Sequence, residues 1–365
     1  MALVVLENKG EGNVRFSADF RRLLFVQVLG PLTVEVRCGG ELILQEAYSP
    51  DADKCVEVRD MRRVVDDAFV FPNIGVDECV TLKPLELSYM CYDSEGPDPE
   101  WSEKAYYSRS RMNVTPDLCR VWLSWYTDAV TRPGRLEYAA FLKHAGTLVR
   151  VGVAYTEDGR DRWKVVDWEF TADDGDVVAL SVGVDAVAEK CGVAVENIVF
   201  YKLLLVNGDD EDVITVNVAR SAVRNETLLY FLNSWGMPEC FACEGLTDEA
   251  PELEGDVLEA VDHRTRSDSW AEEVNTVSTG WMGDAKRLSL KSLLSSPMVW
   301  LRRDDGSFVE IVVTDAELER TVPSNEVAGA KVTYKLAERR VSVFDRMPEG
   351  GDEGIFDKTF DYTFD

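Results

Sequence analysis

Two histidines, one CxxC pair and several acidic clusters are the residues of this sequence whose types could do chemistry. His144 stands in LKHAG and His263 in DHRTR. Neither neighbours a nucleophile motif: the sequence has no GxSxG, no HExxH and no Walker loop. Both histidines read as exposed or structural. Cys240 and Cys243 enclose Phe241 and Ala242. A structural zinc needs four ligands, and no second CxxC or HxxxH is present to complete the set. A redox pair opens a helix after a strand, whereas ECFACEG reads as a strand with Phe241 facing away from both cysteines. Buried strand cysteines are the expectation. The runs Asn207-Gly208-Asp209-Asp210-Glu211-Asp212 and Asp173-Asp174-Gly175-Asp176 offer the oxygens calcium takes, but not at DxDxDG…E spacing, and read as hairpin turns. Nine tryptophans could stack on sugar rings. Trp122 and Trp125 in VWLSWY, and Trp163 and Trp168 in RWKVVDWEF, stand in strand-like runs and read as core or interface. Trp101, in an acidic loop, is the exception. No catalytic residue, no cofactor and no metal ligand set is expected.

The elements that would position these residues are mostly strands. LTVEVRCGGELILQEAY alternates on either side of Gly39-Gly40, as a hairpin does. Residues 147–170 predict a second hairpin, with Val149, Val151 and Val153 on one face and Asp158-Gly159 supplying positive φ at the turn. Residues 299–315 repeat the design around Asp305-Gly306, and VITVNVARSA and KVTYKLAERRVSV read as further strands. Helices are few. Asp60 is the expected cap for Met61, Val64, Val65 and Ala68; Asp185 for VDAVAEKCG, which stops at Gly192; and Asp284 for a helix with Leu290, Leu293 and Leu294 on its face and Pro297 beyond it. Residues 48–69 and 170–192 share an order of aromatic, acidic loop, strand and short helix, a hint of two similar units in tandem. Residues 93–105 read as a linker or long loop, residues 247–256 as an acidic loop, and residues 346–354 as a Gly-rich acidic hinge.

Length and charge narrow the function. The chain has 365 residues, enough for two or three domains, and its 45% hydrophobic content supports sizeable cores. The formal net charge of -28 argues against sequence-independent nucleic-acid binding and against docking on anionic lipid. MALVVL has no basic segment before it, so no signal peptide is expected, and no apolar run approaches the ~20 residues of a membrane helix. The eight cysteines read as reduced, mostly buried residues.

One stretch goes beyond composition. NETLLYFLNSWGMPECFACEG, residues 225–245, resembles a segment of tail-associated structural proteins of tailed bacteriophages and prophages. That segment is a strand reading FxNxxGxxE/DT, a second strand, then a long arm. Phe231, Asn233, Gly236 and Glu239 stand at its marked places. Thr279-Gly280-Trp281, a short helix, Leu294-Ser295-Ser296-Pro297, Val299-Trp300-Leu301, a hairpin and a strand ending at Ala337 resemble the same family's closing module. The resemblance covers residues 225–340. CFACEG departs from the commoner Thr-containing form. The resemblance implies a β-rich, non-enzymatic subunit of a tail tip, baseplate or connector. Its partners would be other virion tail subunits and copies of itself, in a ring or other symmetric assembly. It would be made in the host-cell cytoplasm and assembled into the virion tail.

The expected fold is mainly β: two or three tandem β-sandwich-like units with a few short helices. The expected division is residues 1–95, 106–222 and 225–345, then a hinge and extended strand over 346–365. In that last segment IFDKTFDYTFD alternates. Phe356, Lys358, Phe360, Tyr362 and Phe364 share one side, and Asp357, Thr359, Asp361, Thr363 and Asp365 the other. Phe356, Phe360, Tyr362 and Phe364 are the candidate contact residues of a strand that adds to a sheet edge, in its own subunit or a neighbouring one. Two rival readings stand beside this one: a carbohydrate-binding, adhesin-like module, and a wall-degrading hydrolase with paired carboxylates.

Overall fold

Two runs, YAAFL and VVALS, are apolar at nearly every position, and the fold shows why. In the computed structural model, residues 5–6, 14–20, 22–75, 78–93, 96–97, 100–110, 115–124, 129–221, 223, 225–260, 263–318 and 329–338 are described. Strands Tyr138–Leu142 and Val177–Ser181 pair antiparallel, and Cys79–Leu82 pairs with the second. Ala139, Phe141, Val178 and Leu180 enter one core, while Tyr138, Ala140, Leu142, Val177 and Ala179 enter another. A sheet buried on both faces has no polar side to alternate with.

On one side of this middle layer lies the N-terminal part. Strands Val14–Phe16, Trp101–Tyr106, Leu85–Asp93, Leu32–Cys38 and Glu41–Tyr48 follow in that order, with Gly96–Pro97 at the margin. A smaller sheet of Val5–Leu6, Arg22–Val26 and Val56–Arg59 leads into helix α1, Met61–Asp67. Phe20, Leu23, Phe25, Val34, Met61 and Tyr89 fill the core between them. On the other side, Ala129–Thr131, Asp210–Val218, Ile198–Asn207, Leu148–Glu157 and Arg160–Trp168 form a five-stranded sheet in that order. Its inner residues Val149, Val151, Val153, Leu203, Leu205 and Ile214 pack with α2, Val184–Cys191, through Val184, Val187 and Ala188.

The C-terminal module is a seven-stranded sheet ordered Pro238–Cys243, Thr227–Leu232, Val299–Arg302, Phe308–Leu318, Ala330–Leu336, His263–Ser278, Thr247–Ala260. Helix α3, Asp284–Leu294, lies on its first two strands. Leu229, Phe231, Phe241, Leu290, Leu293 and Val332 make its core. The protein is mainly β with three short α-helices among the described residues, as the patterning predicts.

Hairpins form where turn chemistry demanded them, with positive φ at Gly39, Gly40, Asp158, Gly159 and Gly306. Several local expectations fail. Within residues 93–105, expected as a linker or long loop, Gly96–Pro97 and Trp101–Tyr106 are instead strands that pair back onto Leu85–Asp93. The acidic loop over 247–256 belongs to a long strand. Its Pro251 is on an edge strand, where no donor is missed, and the register shifts between Glu254 and Asp256, at Gly255. Asp60 precedes α1 but adopts φ 57° and makes no capping bond. Gly183 and Gly283, not Asp185 and Asp284, hold the cap positions of α2 and α3, while Gly192 ends α2 in the left-handed region as expected.

One glycine tests the five-stranded sheet. The Trp163 indole covers Gly152, and a Cβ there would lie 2.3 Å from its Cζ2. The ring also leans on Phe200 at 5.9 Å between centroids, yet remains 51% exposed, so it can swing outward. Gly152→Ala is expected to cost about 1 kcal/mol in urea unfolding and to shift tryptophan emission to longer wavelength. An unchanged emission spectrum would show that the indole does not rest on this glycine.

Candidate functional site

Strands Thr227–Leu232 and Pro238–Cys243 are joined by a tight turn whose first residue is Asn233. Asn and Asp start such turns because their side-chain oxygens accept from the backbone two residues on. Here Asn233 Oδ1 accepts from Trp235 N at 2.9 Å and Met237 N at 3.2 Å, and Asn233 N donates to Met237 O at 2.8 Å. Its other end faces away. Nδ2 donates to Leu123 O and to Glu239 Oε2, each at 3.3 Å. Gly236 closes the turn at φ 73°, where a Cβ would lie 2.9 Å from each of Leu82, Phe71 and Tyr107. The turn is therefore pressed into the N-terminal core, and Trp235 and Met237 belong to that core.

Glu239 is buried beneath the turn. Ser289 Oγ on α3 donates to its Oε1 at 2.9 Å, and Asn233 holds Oε2. Burial pushes this carboxyl up to about 7. The two hydrogen bonds oppose the shift, and the charge of Glu137 adds to it. A pKa near neutrality suits a general acid. Both oxygens of this one are occupied by protein donors, and its residue is 2% exposed. The arrangement can hold a proton at a joint; it offers no reacting group to a solute.

Around the carboxylate, α3 turns a row of serines towards the turn. Ser289 reaches Glu239, Ser292 Oγ lies 3.4 Å from Ser234 Oγ, and Ser296, just past the helix, exchanges hydrogen bonds with Leu232 N and O at 3.1 and 2.9 Å. Arg109, from the N-terminal part, completes the contact. Its N donates to Ser234 O at 2.8 Å, and its guanidinium donates to Leu232 O at 2.7 Å, to Ser292 O at 3.3 Å and to Ser295. A cation on the last carbonyls of a helix is favoured by the helix dipole. Burial lowers the Arg109 pKa.

A second joint ties the middle of the chain to the same module. Arg135, 4% exposed, pairs with Glu244 at 2.8 Å and with Glu226, and Arg132 joins both carboxylates. Arg302 donates to Gly134 O at 2.5 Å. Lys286 sits 5.3 Å above the Phe241 ring, its ammonium made less basic by burial.

The residues singled out by type are dispersed. His144 is part-buried, with Nε2 2.7 Å from Cys119 O, and burial lowers its pKa. His263 lies in the strand His263–Ser278. Cys240 and Cys243 are buried, but the expectation that both face away from Phe241 is corrected. Cys243 shares Phe241's core and Cys240 enters the N-terminal one, as residues three apart on a strand must. Burial pushes Cys243 up to about 12 and Cys240 well above its usual value. The acidic runs pair with lysines or turn hairpins: Lys83 with Asp173, Lys143 with Asp174, and a turn between Asn207 and Asp210. Among the described residues no group of three or more His, Cys, Asp or Glu is placed to hold a metal ion. Trp101 is half-buried against Phe25 at 5.9 Å, so it is not an open platform. Trp125 and the candidate contacts Phe356, Phe360, Tyr362 and Phe364 lie outside the described residues.

Sequence reasoning missed Ser289, Ser292 and Arg109, and marked Ser296 only as part of the Leu294-Ser295-Ser296-Pro297 motif. Ser289, Ser292 and Ser296 recur at helical spacing, a signal visible in SLKSLLSS but one that also fits a polar face beside Leu290 and Leu293.

No protein-family model and no curated protein matches the chain. Among solved structures it is similar to the tail of an empty gene transfer agent particle, refined helically with C6 symmetry. The identity is 13% and the TM-score 0.23, over 31% of this chain and 92% of that one. The virion of the native gene transfer agent particle matches at 13% identity and TM-score 0.21 over the same shares. The N-terminal four immunoglobulin domains of Dscam1 isoform 1.9 match at 8% identity and TM-score 0.16, over 74% of this chain and 67% of that one. Overlap at these scores fixes neither fold nor role.

The joint carries a pH prediction. The folded pKa of Glu239 lies above its unfolded value, so its contribution is full below about pH 4.5 and is lost as pH rises through about 7. Glu239→Gln can keep its oxygen towards Asn233 and its amide towards Ser289. Relative to wild type, the variant should gain roughly 2.5 kcal/mol of unfolding free energy between pH 5 and pH 8. Urea titrations at both pH values check this, and a difference that does not change with pH would show an ordinary carboxyl.

Proposed function

We infer that this protein is a non-enzymatic structural part of a phage or prophage tail, a subunit of its tip, baseplate or connector. The observation that carries the reading is an arm. Residues 274–278 of the strand His263–Ser278 pair with Ala330–Leu336, whereas among the described residues 263–273 pair only with residues 251–260. Among the described residues a two-stranded ribbon thus continues past its sheet for roughly 35 Å at ~3.3 Å per residue. Such a ribbon is marginal alone in water, and its outer strand offers unpaired backbone groups. Contact with a neighbouring body would stabilise both.

The resemblance agrees with this placement. Phe231, Asn233, Gly236 and Glu239, with Thr279 and Ser296, fall in or beside one joint and its core, where they hold parts of the chain together. Such positions are expected of a shared scaffold. The arm follows that motif, at the place where the resemblance implies one. The charge of -28 disfavours nucleic acid and anionic lipid as partners, and no described helix is long and apolar enough to cross a membrane. The partners of this reading are other tail subunits and copies of the chain, closed head-to-tail into a ring or another symmetric assembly. It is made in the host-cell cytoplasm and built into the virion tail. Phe356, Phe360, Tyr362 and Phe364 mark the strand that joins a neighbour. The carbohydrate-binding alternative calls for an exposed aromatic platform, and Trp101, one candidate for it, is half-buried with its ring tilted against Phe25 at 5.9 Å.

Deleting residues 355–365, or replacing residues 251–273 by an Asn-Gly turn, should leave circular dichroism and the unfolding midpoint near wild type while shifting mass photometry towards smaller species. Deletion proteins that assemble as wild type would refute the reading.

A further inference from the structure

Three long strands end sheets with open edges among the described residues: Glu41–Tyr48, Arg160–Trp168 and Thr247–Ala260. The reading above gives residues 355–365 a sheet edge to join, and the three edges differ in what they offer. Glu41–Tyr48 carries Glu41 and Glu46 and no basic residue. Thr247–Ala260 carries Asp248, Glu249, Glu252, Glu254, Asp256 and Glu259 and no basic residue. Both would repel a segment whose one side is Asp357, Asp361 and Asp365.

Arg160–Trp168 is built the other way. Arg160, Arg162 and Lys164 alternate onto one face, and Asp161, Trp163, Val165 and Asp167 onto the other. Residues 160–165 are all exposed. Arg162 has Glu157 at 3.1 Å, and Lys164 donates to the Cys191 carbonyl, which leaves its charge unneutralised. On the opposite face Trp163 and Val165 are 51% and 53% exposed. The edge is thus basic on one face and apolar, flanked by aspartates, on the other. The terminal segment is acidic on one side and aromatic, with one lysine, on the other.

We propose that the edge of strand Arg160–Trp168 is the acceptor for residues 355–365 of this chain, which add to it as a sixth strand. This rests on the assembly reading above and names its docking site. In one antiparallel register Phe360 stands opposite Val165 and Tyr362 opposite Trp163, while Asp361 meets Lys164 and Asp365 meets Arg160; Lys358 falls opposite Asp167, whose carboxylate also pairs with Arg150 at 2.6 Å. Opposite charges and aromatic–apolar pairs directly across strands are the stabilising cross-strand combinations. Residues 339–354 separate the segment from the last described strand region. At ~3.3 Å per residue that tether spans up to about 55 Å, enough to leave its own module. The acceptor's hydrogen bonds are available. Glu157 and Arg160 flank a two-residue turn and bond each other, so the amides of Asp161, Trp163, Val165 and Asp167 point outward.

Residue-resolved hydrogen exchange on the full chain tests this, comparing wild type with Asp357→Lys/Asp361→Lys/Asp365→Lys, whose changes lie outside every described element. The four outward amides should exchange about tenfold or more slowly in wild type than in the variant. Equal exchange in the two proteins, fast or slow, overturns the proposal. If protection is lost instead at residues 41–48 or 247–260, this acceptor is wrong while the assembly reading stands. That reading fails separately, when the protein lacking residues 355–365 assembles normally.

Discussion

The fold depends on a turn that one part of the chain makes and another part encloses. Asn233 spends its oxygen on the backbone of its own turn and its nitrogen on Leu123 and Glu239. Gly236 accepts a left-handed φ in a cradle of Leu82, Phe71 and Tyr107, residues far away in sequence. Trp235 and Met237 then complete a core whose other members begin at Phe16. Neither side is satisfied alone: the N-terminal core lacks these side chains, and the turn would expose them. The constraint is polar at its centre and apolar at its rim, so it fixes position as well as adding burial. A buried polar group deprived of its partner costs its full desolvation penalty, about 1–3 kcal/mol, so the centre tolerates little displacement.

From this joint the layering follows. The middle sheet is buried on both faces, so the N-terminal part and the five-stranded sheet share a layer rather than meeting at a surface. The Arg132–Arg135 pair with Glu226 and Glu244 ties the same region to the C-terminal module from another direction. The carboxylates of these pairs reach solvent and only Arg135 is buried, so the pairs add little net stability, but removing both carboxylates would leave the Arg135 charge uncompensated. Their contribution here is to orientation. Arg109 acts similarly, joining the turn's carbonyls to the end of α3. Asn233, Glu239, Arg109 and Arg135 thus hold parts of the chain in register.

Much of this was legible where a residue type answers a local geometric need. Gly39-Gly40, Asp158-Gly159 and Asp305-Gly306 announced their hairpins because few residues tolerate positive φ. Gly192 announced the end of α2 for the same reason. Features set by distant partners were not legible. Asp60, a plausible cap by type, makes no cap bond, and its φ of 57° is not one an aspartate's sequence context declares. Residues 247–260 hide a strand because Pro251 and Gly255 look like breakers when nothing shows that the strand is an edge with a register shift. The serines of α3 read as a wet face until the turn is placed against them. Glu239 was marked by its motif place alone. That it would be sealed and proton-holding depends on α3 and Glu137 arriving around it.

The surface follows a different logic from the interior. Open strand edges invite unwanted pairing, and charge is one way proteins blunt them. With 67 acidic and 39 basic residues, most of this surface repels its own copies at long range. The edges Glu41–Tyr48 and Thr247–Ala260 share that sign, so two copies meeting edge to edge there would set carboxylates against carboxylates. Arg160–Trp168 breaks the pattern by gathering three cations on one face of a single edge. An acidic protein that leaves one edge basic has made its edges unequal. Encounters along the acidic edges are discouraged, and the remaining edge is the one whose charge suits an acidic strand. Repulsion at two edges and a basic face at the third both arise from where a few charges fall along strands of ordinary geometry.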